Sequence, residues 1–221
     1  MPVTQTWNLV LVPEHLDEDI NKDYELTLAT VKESVPNWLP VIEKWKQSPE
    51  SFGWYMLACD IRDRHLYYSS WHESEDLQTF FGLFNQDAFY SLFFRYLNLC
   101  APKTKCGDFE VVDVVLTYGD TAPSIWFQAI GAGSIAELPG FFGNFYIRSA
   151  SIAEELERYN HLIAKLDWRE LVRRGVEFYN APCSDIENLQ LIEEILTAFP
   201  KALIYAQEKH CGLLGLVVTA G

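Results

Sequence analysis

Apolar residues are arranged along this chain in two rhythms, short unbroken runs and stripes at steps of three and four. The runs read as strands. Residues 7–12 are almost wholly apolar and stop at Pro13, which predicts a strand at the start of the chain. Residues 52–59 and 66–71 are β-prone runs on either side of a charged turn at 60–64, and predict a hairpin. Residues 109–118 form the strongest strand signal. Val111, Val112, Val114, Val115 and Leu116 place apolar groups on both parities, so both faces of this strand are expected to be covered. A turn over 119–123 and an apolar return over 125–130 predict a second hairpin. Residues 213–219 are expected to close the chain as a buried strand.

The stripes read as helices. Leu28, Val31 and Val35 recur at helical spacing before Pro36, and Leu39, Ile42 and Trp45 repeat the pattern up to Ser48-Pro49. Ser74 is a candidate N-cap for a helix carrying Leu77, Phe80, Phe81 and Phe84. After Asn85-Gln86-Asp87, residues 89–99 are apolar nearly all round, as expected of a central core helix or a buried partner face. Ile152, Leu156, Tyr159, Ile163 and Leu166 make a regular stripe, with Ser149 or Ser151 as its cap. Leu189, Ile192, Leu196 and Phe199 repeat it, and Pro200 is expected to interrupt that helix one or two turns before His210. Residues 131–144 are loop-like, with glycines at 131, 133, 140 and 143.

Together these elements predict an α+β fold. One domain is expected to span residues 1–221, built on a mainly antiparallel sheet of two hairpins plus a C-terminal strand, and packed with about six helices. The alternative is a boundary near 135–148. At 221 residues, with 49% hydrophobic and 14% aromatic residues, the chain has ample apolar surface for such a core.

Charge changes the picture most. Seventeen Lys and Arg stand against thirty-one Asp and Glu, a formal net charge of −14. Nucleic acid and anionic membrane surfaces are disfavoured partners, because both are bound by cations that displace counterions. Arg169, Arg173 and Arg174 are the densest basic group, but their interleaving with Glu170, Leu171 and Val172 reads as a solvated helix face. A basic protein is the complementary partner. The first acidic stretch, Glu14, Asp17, Glu18, Asp19 and Asp23 with Lys22 as its one counter-charge, is the candidate protein-binding segment.

No run is long and apolar enough to span a bilayer, and residues 1–12 lack a signal-peptide pattern, so a cytoplasmic protein is expected. Five cysteines (59, 100, 106, 183 and 211) form no CxxC pair and no even framework.

Several residues invite chemistry. Asp17, Asp19, Asn21 and Asp23 alternate as in a calcium loop, yet Lys22 stands where glycine is needed and Leu28 where a bidentate Glu is needed. His72 and Asp76 share a helical spacing, but two ligands do not make a zinc site. Gly131-Ala132-Gly133-Ser134 lacks both the third glycine of a dinucleotide fingerprint and the Gly-Lys of a P-loop. His210 and Cys211 are adjacent, which on a helix points their side chains about 100° apart. Asp113 interrupts an apolar strand, where a carboxylate needs a partner. No cofactor or metal is implied. The expected function is an acidic, cytoplasmic protein-binding module that docks, neutralises or adapts a basic protein. The alternatives are a small enzyme whose site is assembled in space from Asp113, His72 and Glu75, and a homo-oligomeric protein joined through residues 89–99.

Overall fold

The computed structural model describes residues 4–35, 37–47, 88–89, 91–92, 95, 110–118, 122–131, 139–140, 143–179 and 185–220. Four strands make one sheet: β1 (Thr4–Val12), β2 (Glu110–Tyr118), β3 (Phe145–Ile147) and β4 (Gly212–Ala220), in the order β2-β1-β4-β3, with every neighbouring pair antiparallel. Among the described residues six longer helices surround it: α1 (Asp17–Ser34), α2 (Trp38–Gln47), α3 (Ala122–Ile130), α4 (Ile152–Ile163), α5 (Trp168–Tyr179) and α6 (Asp185–Lys209). Residues 88, 89, 91, 92 and 95 are helical as well.

The first and last strands pair at the centre of the sheet, Thr4 opposite Ala220 through to Val12 opposite Gly212. Their sequences explain the placement. Both are apolar on both parities, and a strand of that kind is stable only where each face is covered. Trp7, Leu9 and Leu11 on one face of β1 and Val10 and Val12 on the other are all buried, as are Leu213, Leu214 and Leu216 of β4. On the Trp7 side the sheet meets an aromatic cluster from α3, α4 and α6. The Trp7 ring lies 5.9 Å from Trp126 and 6.4 Å from Phe199, and Phe199 also meets Phe145 and Tyr159 edge-on at 5.3 and 5.6 Å. Offset and edge-on geometries suit the ring quadrupoles and add to the area buried. The Trp7 indole N–H donates to the Gly143 carbonyl at 3.0 Å. Gly143 takes φ +86, which favours glycine.

The opposite face is covered by α1. Its inward stripe is Asp17, Ile20, Tyr24 and Val31. The Tyr24 ring sits 6.4 Å from Tyr146 of β3, and its hydroxyl donates to the Asn144 carbonyl at 3.2 Å. Asn144, itself buried, accepts the Val217 N–H on Oδ1 at 3.0 Å, tying the approach to β3 onto β4.

This architecture corrects the expected fold class. The molecule is mainly helical around one small sheet, not a mainly antiparallel sheet packed with helices. None of the described strand pairs is a hairpin: long stretches of chain separate β1 from β2, and three helices separate β3 from β4. The second predicted hairpin fails at its return strand, since residues 125–130 belong to α3. That segment is apolar almost throughout, so period alone cannot separate strand from buried helix, and Pro123 sits in the first turn, where a helix tolerates proline. The first predicted hairpin, at 52–71, and the helix over 77–84 lie outside the described residues.

Two smaller corrections concern helix ends and breaks. Pro200 does not interrupt its helix, because α6 runs through it. A proline there leaves the Leu196 carbonyl without its backbone donor, and the buried Tyr159 hydroxyl of α4 donates to that carbonyl instead, at 3.4 Å. Ser151 stands at the N-cap of α4 but makes no side-chain cap bond; a 3-10 turn over Ser149–Ser151 leads into the helix.

Candidate functional site

The acidic segment begins where Pro13 ends β1. A 3-10 turn, Glu14–Leu16, closes with the Leu16 N–H on the Pro13 carbonyl at 2.9 Å and passes straight into α1. Asp17, Glu18 and Asp19 therefore occupy the first helical turn, where carboxylates complement the positive end of the helix dipole.

The five predicted docking residues separate into three kinds. Asp17 turns inward, with its side chain 9% exposed. Its carboxylate accepts three donors from β3 and the turn after it: the Tyr146 hydroxyl at 2.5 Å, the Ser149 backbone N–H at 3.0 Å and Arg148 Nε at 3.3 Å. Glu18 and Asp23 are paired with arginines distant in sequence. Glu18, 79% exposed, meets Arg148 Nη2 at 2.6 Å, and the half-buried Asp23 meets Arg95 Nη1 at 2.7 Å. Glu14 and Asp19 are exposed and make no ion pair among the described residues. The structure thus joins the acidic run to Tyr146, Arg148 and Ser149. The sequence gives no sign of those partners, which lie about 130 positions away and carry no motif.

Electrostatics follow the geometry. Burial, and then the hydrogen bond to Asp17, pushes the Tyr146 hydroxyl well above the ordinary tyrosine range. The hydrogen bond to Asp17 and the charge of Glu18 hold Arg148 firmly in its charged form. The fit is tight. A Cβ at Gly212, the first residue of β4, would lie 2.8 Å from both Asp17 Oδ1 and the Tyr146 hydroxyl oxygen, so glycine is the residue that lets strand, helix start and carboxylate meet. Half-buried Cys211 stands next to it, with Sγ 3.5 Å from the Lys209 carbonyl.

The arrangement is built to hold a helix start, and its chemistry is that of a fully engaged structural carboxylate. It does not make a cation loop. Asp17, Asp19, Asn21 and Asp23 lie on helix, where alternate residues point about 200° apart and cannot converge on one ion. Among the described residues no group of three or more His, Cys, Asp and Glu side chains could hold a metal.

The remaining candidates resolve unevenly. Gly131 follows helix α3, not a strand, which removes the strand-to-helix junction on which a phosphate cradle would depend. Asp113 lies opposite Leu9 in the β1–β2 register, beside a shift at Leu9/Val10 that leaves Val112 without a Cα partner on β1. His210 sits past the end of α6 at φ 55, and the Cys211 N–H bonds the Ala206 carbonyl at 2.9 Å, a Schellman closure. Glu170 holds both Arg173 and Arg174, which keep its carboxyl down at about 2, and Arg173 also reaches Glu177. Those arginines form a solvated ion-pair face. Phe89 and Leu92 are buried, while Ser91 and Arg95 face outward. His72 and Glu75 lie outside the described residues, as do Cys59, Cys100, Cys106 and Cys183.

No protein-family model matches the chain, and searches of curated proteins and of solved structures find no significant match. Among the described residues no helix is long and apolar enough to cross a membrane.

Proposed function

We propose that this chain is an acidic, cytoplasmic protein-binding module that docks a basic partner protein through the start of α1. The observation that carries the reading is the outward set Glu14, Glu18 and Asp19 on a helix start pinned from within by Asp17, in a chain of net charge −14. A pre-ordered surface loses little side-chain and backbone freedom on binding, and complementary charge speeds encounter. Asp17 supplies the order, and its neighbours supply the charge. Glu18 keeps Arg148 beside it, so a partner cation there adds to or displaces an existing pair.

The test is affinity purification of the full chain from its native cell at low and at high salt, followed by titration of the recovered protein. The expected partner is basic, released by salt, and bound roughly tenfold more weakly by a Glu14→Gln, Glu18→Gln, Asp19→Asn variant, since exposed charge pairs contribute about 0.2–1 kcal/mol each. Equal affinity for a variant that keeps its thermal midpoint, or a partner with no basic surface, overturns the proposal.

A further inference from the structure

We draw no further inference here: the strongest candidate, the side-chain cluster of Asp17, Tyr146 and Arg148 beside the lone described cysteine Cys211 where the first turn of α1 meets the β3–β4 edge, has its carboxylate engaged by the protein's own donors, and nothing in the structure points to a ligand for it.

Discussion

Asp17 and Asp19 are two residues apart and chemically identical, yet one is structural and the other faces solvent. The difference is the helix: side chains two positions apart point to nearly opposite sides. Replacing Asp17 with Ala removes the carboxylate, takes that acceptor from the Ser149 N–H and Arg148 Nε, and leaves the Tyr146 hydroxyl only its longer bond to the Asp17 backbone carbonyl, 3.3 Å. A loss of about 3 kcal/mol is expected in urea unfolding. Asp17→Asn is expected to cost less, and to leave partner affinity unchanged while the outward triple variant weakens it. A fall in affinity with Asp17→Asn at constant stability would place Asp17 in the docking surface instead. Gly212→Ala addresses the same contact from the strand. Its methyl group meets two oxygens 2.8 Å away, and a loss of about 1–3 kcal/mol is expected from overpacking.

At the scale of the element, α6 shows how a broken rule is repaired by a neighbour. Proline inside a helix costs about 3 kcal/mol, partly through the orphaned carbonyl four residues earlier. Tyr159 answers that carbonyl from α4. In a double-mutant cycle, Tyr159→Phe is expected to cost about 1–2 kcal/mol in the native background and less in Pro200→Ala, where a backbone N–H returns. Equal costs in both backgrounds would mean that the two residues are uncoupled. The same helix closes with His210 in left-handed backbone, a conformation that costs a residue with a Cβ about 1–2 kcal/mol. His210→Gly is therefore expected to raise the denaturant midpoint by an amount equivalent to roughly 1 kcal/mol.

For the whole molecule, buried tyrosines among the described residues add an alkaline pH response. Burial, the largest cause at each, pushes the hydroxyls of Tyr24, Tyr146 and Tyr159 above their ordinary value. The folded state thus keeps protons that the unfolded chain releases above about pH 10. Stability is expected to be insensitive to these groups below that pH, and to fall as pH rises past it. Tyrosinate absorbance followed against pH, with and without urea, checks this. Of the eleven tyrosines, at least these three should resist ionisation until the fold opens, and ionisation of all eleven near pH 10 in a folded protein would contradict it. Net charge acts at the same scale: self-repulsion at −14 is screened by salt.

How much of this was legible in the sequence depended on the range of the interaction. The apolar runs at 7–12 and 213–219 and residues 110–118 are strands, and the stripes of α1, α4 and α6 are helices, because period and burial are local properties of a chain. Residues 125–130 read as a strand in sequence but fold as helix, because an apolar run with little polar punctuation has no period to read. The acidic segment was visible as composition, but its division into an inward Asp17, paired Glu18 and Asp23, and outward Glu14 and Asp19 was not. That division required α1 to form and β3 to arrive beside it. The sequence by itself determined that the runs at 7–12, 110–118 and 213–219 and the stripes of α4 and α6 would be regular, that 7–12 and 213–216 would be buried, and that the chain would be strongly acidic. Tertiary structure decided that the first and last strands pair at the centre of the sheet, that Tyr159 makes Pro200 tolerable, and which carboxylates face solvent. Each of those depends on contacts between residues tens to hundreds of positions apart, and such contacts leave no periodicity in a single sequence.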